Sequence, residues 1–282
     1  AEDADWRESA QTALHLLDYV GVDYPEFVRD GEVVNQAEYE EQLEFASKVV
    51  TLLHGLPERA NRARLAADAE ALLSLVKAKG PGPQVASASA DLRWALIGEY
   101  ALAVAPKQVP DLAHGAQLYR ANCVSCHGAE GKGDGPAGKG LDPAPSDFTD
   151  AARIAQRSAH GLYNTITLGV AGTGMVAYRQ LTDDDRWALA FFVSQFAVTP
   201  QQLAGGEAAW KSGLHADTFA NLENVATLST DEVSARFGPD VAPLLEEVMR
   251  MAAASLLEMS NARLQTSERR DQIENVRRML VA

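Results

Sequence analysis

The run Cys123-Val124-Ser125-Cys126-His127 constrains this chain more than any other feature in it. These are the two cysteines of 282 residues, and no second pair exists to complete a zinc site. Positions i and i+3 share one face of a helical turn, so both thiols point the same way and the histidine follows beside them. A thioredoxin-like dithiol would sit in a βαβ context, which the Gly/Pro-rich surroundings do not offer. The spacing C-x-x-C-H is that of c-type haem attachment. It implies one covalently bound haem c, with thioethers from Cys123 and Cys126 and an axial bond from His127 to the haem iron.

A second axial ligand should come from a separate loop on the other face. Met175 closes the run Gly169-Val-Ala-Gly-Thr-Gly-Met175 and is the methionine outside the C-terminal region. Glycines let backbone approach a ring closely, and a helical pattern, Thr182–Ala197, follows the loop. His160 is the competing ligand, and a packed core histidine is its ordinary alternative. His/Met ligation leaves no open coordination position and raises the reduction potential, which suits electron transfer. A haem enzyme such as a peroxidase would need an open position.

The rest of the chain reads as all-α. Amphipathic stretches at 4–19, 36–54, 59–78 and 87–104 are separated by Gly21 to Gly31, Gly55–Pro57 and Gly80-Pro-Gly-Pro83, which predicts a small helical bundle. In the second stretch Tyr39, Leu43, Ala46, Val50 and Leu53 form one apolar stripe, with Asn35 placed to cap it and Glu38 three residues on. Helical patterns return at 112–120 and 158–168 around a long loop, Gly128 to Pro145. Beyond Gly205-Gly206, Val241, Leu245, Val248, Ala252, Ser255 and Met259, then Ile273, Val276 and Leu280, predict a C-terminal helical hairpin. The expected domains are 1–105, an acidic bundle; 106–199, around the cysteines; and 200–282, the hairpin.

Hydrophobic residues at 46% and charged residues at 23% are ordinary for a globular chain. The net charge of −14 argues against nucleic acid as a partner. Residues 1–46 carry thirteen acidic groups against Arg7 and Arg29, a local net charge of −11, so most of the imbalance sits at one end. No run reaches the roughly 18–20 apolar residues of a membrane span. The start Ala-Glu-Asp-Ala fits a chain exported to the periplasm and freed of its signal peptide.

Residues 108–198 resemble a class I cytochrome c. The resemblance runs through Gly115-Ala-Gln-Leu-Tyr119, Cys123 to His127, Gly128-Ala-Glu-Gly-Lys-Gly-Asp-Gly-Pro136, Pro143-Ala-Pro-Ser-Asp-Phe148, Gly172-Thr-Gly-Met175 and a closing helix with Trp187 and Phe191. It implies that Gly115 and Tyr119 meet the Ala190–Phe191 region where the first and last helices cross. It also implies that the carbonyl of Pro143 or Pro145 accepts the Nδ1–H of His127. The family usually has proline after the ligand methionine, where this chain has Val176.

The leader, Leu17-Asp18-Tyr19-Val-Gly-Val-Asp23-Tyr24-Pro25 through Asn35 and then Glu38-Tyr39-Glu40-Glu41-Gln42-Leu43-Glu44-Phe45, resembles the periplasmic N-terminal region of bacterial Ftr-type iron permeases with a fused cytochrome c domain. The resemblance implies a periplasmic module, either the periplasmic part of a membrane-associated protein or a separate subunit. Its haem would exchange electrons with iron ions bound for a membrane iron permease. The permease's own Arg-Glu-Gly-Leu-Glu motif is absent from the sequence. Hard iron ions prefer oxygen ligands. Glu41 and Glu44, with Glu38 and Glu40 nearby, could present carboxylates for a non-haem iron, opposed by Asp18, Tyr19, Asp23 and Tyr24. A solvated acidic face is the alternative. The other function considered is a general electron shuttle to a dehydrogenase or terminal oxidase, with the helical flanks as docking scaffold.

Overall fold

The computed structural model describes residues 2–219 and 221–250, and the chain divides into two compact units, 1–103 and 104–282. Both are helical. Among the described residues no helix is long and apolar enough to cross a membrane.

In the first unit α1 (Glu2–Phe27), α2 (Gln36–Gly55), α3 (Arg62–Lys77) and α4 (Gly82–Tyr100) close into a bundle in which α1 packs on α2 and α4, and α3 on α2 and α4. Its core is Leu14, Leu17, Val49, Leu53, Leu65, Leu72, Val85 and Leu96, all buried. The first and fourth helices depart from the sequence expectation. α1 runs on through Gly21 and Pro25 because both make close contacts that a larger or different residue would lose. A Cβ on Gly21 would lie 3.2 Å from the Cβ of Ser89 in α4, and one on Gly82 would lie 2.8 Å from the Cβ of Pro25. α4 starts at Gly82, five positions before the expected residue 87, with Pro83 in its first turn.

In α2 the buried set is Tyr39, Gln42, Ala46, Val49 and Leu53, with Leu43 and Val50 only half-buried. Contact with α1 on one side and α3 on the other turns the buried arc by one position. Asn35 caps the helix through the Glu38 amide, 3.4 Å away. Between α1 and α2, β1 (Val28–Arg29) and β2 (Glu32–Val33) form a tiny antiparallel hairpin, turned by Asp30 and Gly31 at φ 52° and 80°. The Asp-Gly pair is the signal for that turn, and the sequence reading passed over it.

Three polar contacts fix the bundle's geometry. The Tyr24 hydroxyl donates to Gly80 O at 2.9 Å and that of Tyr39 to Val76 O at 3.1 Å, so phenols from α1 and α2 cap the end of α3. Burial pushes the Tyr24 phenol up to about 12, with Tyr39 adding to the rise. Asp18 Oδ1 accepts from Arg93 Nη1 at 2.7 Å, with both side chains more than nine-tenths buried.

The second unit begins with α5 (Leu112–Asn122), a single turn α6 (Val124–His127), α7 (Ala151–Ala155), α8 (Ala159–Leu168) and α9 (Asp183–Val193). α5 crosses α9, and α8 packs on the same helix. From residue 200 the chain makes short capped helices, α10 (Pro200–Lys211), α11 (Ala216–Phe219), α12 (Leu222–Thr227) and α13 (Thr230–Phe237), before helical residues 242–250. Capping boxes at Thr199/Gln202 and Ser229/Glu232 set two of these starts. α12 lies on α8 and α13 on α7. Val241, Leu245 and Val248 are buried as the hairpin pattern requires. Its later positions, Ala252, Ser255, Met259, Ile273, Val276 and Leu280, lie outside the described residues. Glu246 is buried on the same helix as Leu245 and Val248. It accepts from the Thr230 hydroxyl at 2.6 Å, its other oxygen has no partner among the described residues, and burial raises its carboxyl to about 7.

Two outcomes follow. Asp18→Ala removes the carboxylate that neutralises the buried Arg93 and is expected to destabilise the bundle by about 3–5 kcal/mol, read from the urea midpoint of the bundle transition. Replacing both partners by well-packed apolar residues should cost much less. Glu246 binds its proton more tightly folded than unfolded, so its contribution is full below about 4.5 and is lost as pH rises through about 7. Glu246→Gln should therefore flatten the fall in stability between those pH values in thermal melts of the full chain.

Candidate functional site

Asp111 starts α5 by accepting from the amides of Ala113 and His114, and α5 delivers the chain to Cys123. Gly115 lets α5 sit directly on α9: a Cβ there would fall 2.3 Å from Ala188 O and 2.9 Å from the Cβ of Phe192. Tyr119, one turn on, packs its ring 5.5 Å from Phe192 and 5.0 Å from Phe196. The crossing therefore uses the Ala188/Phe192 face of α9. The nearest contacts of Gly115 and Tyr119 on α9 are Ala188 and Phe192, beside the expected Ala190–Phe191, while Trp187 stacks on Tyr163 of α8. His114 Nε2 and Asp185 Oδ1, 2.6 Å apart, pin the same two helices at one end.

The cysteines stand at the two ends of the turn as free thiols. His127 N donates to Cys123 O at 2.9 Å, which closes the turn and sets the histidine against it. Burial pushes the Cys123 thiol up to about 12, with Cys126 adding to the rise. His127 Nδ1 lies 3.2 Å from Ser146 O, and Phe148 stacks on the imidazole with ring centroids 4.5 Å apart. Burial lowers the His127 pKa, and the Ser146 contact opposes that shift. The acceptor is thus the residue after Pro145, and neither Pro143 nor Pro145 supplies the carbonyl. Pro145 O points instead at Gly133, where a Cβ would come within 2.3 Å of it.

The loop from Gly128 wraps back over the turn, and glycine makes this possible. Gly133 N donates to His127 O at 2.9 Å and Gly135 N to Cys126 O at 3.1 Å. A Cβ on Gly135 would lie 2.5 Å from Ser125 O and 2.6 Å from Val124 O, and one on Gly138 would lie 2.8 Å from Cys126 O. Tyr119 OH donates to Gly128 O at 2.9 Å, joining the helix crossing to this cradle.

Met175 is half-buried in its own loop, with its amide on Thr173 Oγ1 at 3.1 Å and its carbonyl accepting from Val170 N at 2.9 Å. Tyr178 ties that loop down: its amide donates to Ile166 O and its hydroxyl to Asn122 O, both at 2.9 Å, next to Cys123. Gly174 packs on Leu141, so the methionine loop and the proline-rich loop meet. His160 is 2% exposed, near Asn164 and stacked with Tyr163 and Trp187, which is the packed reading of that residue.

The cradle fits a haem. Two cysteines share one turn, the histidine beside them turns Nδ1 to a carbonyl, and glycine backbone lines the turn. Residues 112–197 match the family model described as cytochrome c, and residues 2–93 that of the iron permease-associated 4-helix bundle domain. The chain carries a cytochrome c domain. A third model, described as an HD domain, matches 176–282 and overlaps its last helix. That span contains one histidine, the exposed His215, and the described residues hold no cluster of three or more His, Cys, Asp or Glu able to bind a metal ion. Among curated relatives, a thiosulfate dehydrogenase of Allochromatium vinosum is 38% identical over 90 residues, 30% of this chain and 31% of that protein. A thiosulfate dehydrogenase of Thiomonas intermedia is 26% identical over 121 residues, 41% of this chain and 36% of that protein. The chain therefore spans about a third of the length of these relatives. No solved structure matches it.

The carboxylates expected to hold iron are brought together only in part. Asp18 is drawn into the bundle by Arg93, and the Tyr24 hydroxyl is committed to Gly80 O. Burial, then Glu38, Asp23 and Glu44 in that order, hold the Glu41 carboxyl above its usual range, but the described residues hold no group of three or more of these acids placed to bind a metal ion, so the expected iron site is not assembled. The residues that sequence reasoning missed are Ser146, Phe148 and Arg93. Of these only Phe148 carried a signal, as the end of the Pro143–Phe148 run.

Gly135→Ala is expected to lift the cradle off the turn, costing about 1–3 kcal/mol of stability in the cytochrome domain. Its covalent haem yield, read as haemochrome absorbance per protein, should fall with it.

Proposed function

We propose that the chain is a periplasmic monohaem electron carrier that couples a haem redox change to iron oxidation or reduction during high-affinity iron uptake, serving a membrane iron permease. The observation that carries this reading is the presence, in one chain, of an iron permease-associated bundle and a C-x-x-C-H turn inside a glycine cradle. In this reading Cys123 and Cys126 would hold the haem as thioethers, and His127 and Met175 would be the side chains that ligate its iron. Bound there, the haem supplies a one-electron couple whose potential methionine ligation raises. Ser146 O fixes the histidine's tautomer and ring plane by accepting from Nδ1. Phe148 stacks on the imidazole and excludes water from that side. In this reading the negative field around Glu41, Glu38 and Glu44 attracts iron cations to the α1/α2 side of the bundle, where the described residues hold no ready-made group of three or more metal ligands. The two thiosulfate dehydrogenases support a second reading, a carrier that takes electrons from a sulfur compound.

Anaerobic titrations of the haem-loaded full chain separate these readings. With ferrous iron added to the oxidised protein, or ferric citrate to the reduced protein, the haem spectrum should change with saturable dependence on iron, and Glu41→Ala/Glu44→Ala should weaken the apparent affinity about 10–100-fold. Haem reduction by thiosulfate and by neither form of iron favours the second reading. Separately, Met175→Ala should abolish the sulfur-to-iron charge-transfer band and lower the reduction potential in a spectroelectrochemical titration.

A further inference from the structure

In the cytochrome domain the hydroxyl of Tyr163 donates to Asp183 Oδ1. Among the described tyrosines this is an unusual partner. The hydroxyls of Tyr24, Tyr39, Tyr100, Tyr119 and Tyr178 all donate to backbone carbonyls, which cannot take a proton at ordinary pH. Asp183 can. Its side chain is 49% exposed, so a proton received there passes to water.

The ring of Tyr163 is 7% exposed and stacks on Trp187 with centroids 4.2 Å apart and planes at 14°. Trp187 is 2% exposed and lies within 6.3 Å of both His160 and Phe191. The two most readily oxidised side-chain types are therefore in π contact, one deep in the core and the other with its oxygen at the rim. Arg186 adds a bias. Its guanidinium lies 5.5 Å from the Tyr163 ring and 3.4 Å from Asp183 Oδ1. A fixed positive charge beside the ring penalises a phenol radical cation, so oxidation is favoured only when the phenolic proton leaves with the electron.

We propose that Trp187, Tyr163 and Asp183 form a one-electron relay that carries oxidising equivalents out of the cytochrome core. The oxidants are one-electron oxidants of the class generated from hydrogen peroxide by ferrous iron. One electron leaves Trp187 for the oxidant, which is reduced by one unit, and Trp187 recovers that electron from the stacked Tyr163. The O–H bond of Tyr163 breaks as an O–H bond forms on Asp183, leaving a neutral phenoxyl radical and a protonated carboxyl that deprotonates to solvent. An external one-electron donor and a solvent proton restore the phenol.

The test uses the haem-loaded full chain and a laser-generated ruthenium(III) tris-bipyridine oxidant, with the radical followed by transient absorption and freeze-quench electron paramagnetic resonance. The expected signal is a phenoxyl radical that narrows with ring-deuterated tyrosine and forms more slowly in deuterium oxide. Tyr163→Phe should abolish it and leave a tryptophan radical in its place, whereas Tyr100→Phe should not change it. Asp183→Asn keeps a hydrogen-bond acceptor but not a base, and should slow phenoxyl formation at least about a hundredfold. The haem absorption spectrum of each variant serves as the check on folding. A phenoxyl signal of wild-type size in Tyr163→Phe, a wild-type rate in Asp183→Asn, or no phenoxyl radical in the unaltered protein each overturns the relay.

Discussion

The cytochrome domain depends on the missing side chain at Gly115. With only a hydrogen there, the backbone of α5 rests on the carbonyl of Ala188, and α9 is held across it. Tyr119 then has a pocket between Phe192 and Phe196, and its hydroxyl reaches Gly128 O. Gly128 has φ 77° and is where the chain turns back over the cysteine turn. Helix crossing, aromatic pocket and cradle are thus one connected set of contacts, and the position of His127 is their product. Dispersion and burial supply the energy. Glycine supplies the proximity that lets them act.

Much of this was legible in the sequence because it is local. The C-x-x-C-H spacing specifies a turn, Thr182 before three aspartates specifies a helix start, and Asn35 specifies another; each is seen in the structure. Contacts that depend on how helices rotate about their axes were less legible. On α9 the contact face is Ala188 and Phe192 in place of the adjoining Ala190–Phe191, and on α2 a one-position turn exchanges Leu43 and Val50 for Gln42 and Val49. Hydrophobic periodicity defines an arc of a helix about 100° wide, which is too coarse to resolve a single residue step. The choice of Ser146 over the flanking prolines had no sequence signal, since every residue of that loop has a carbonyl to offer.

The acidic leader shows the same limit in electrostatic form. A count of carboxylates finds the charge, but it cannot tell which acids face a cation and which are spent inside. Asp18 and Asp23 are both buried, and Arg93, far away in sequence, is what pairs with Asp18. Asp23, Glu38, Glu41 and Glu44 keep their mutual repulsion, seen in the raised Glu41 carboxyl. Long-range pairing of this kind is decided by the closure of the bundle and not by the sequence near either partner.

The phenol caps on α3 also make the bundle mechanically unequal at its two ends. At one end the run Gly80-Pro-Gly-Pro83 is held by the Tyr24 hydroxyl and wedged against Pro25, with Gly80 and Gly82 buried. At the other, residues 57–60 between α2 and α3 are exposed, although Pro57 O accepts from Tyr100. Inserted residues need backbone that can move without breaking buried contacts. A spectroscopic label or a short affinity segment therefore belongs at 58–60, where it can follow the bundle while leaving its core and its acidic face intact.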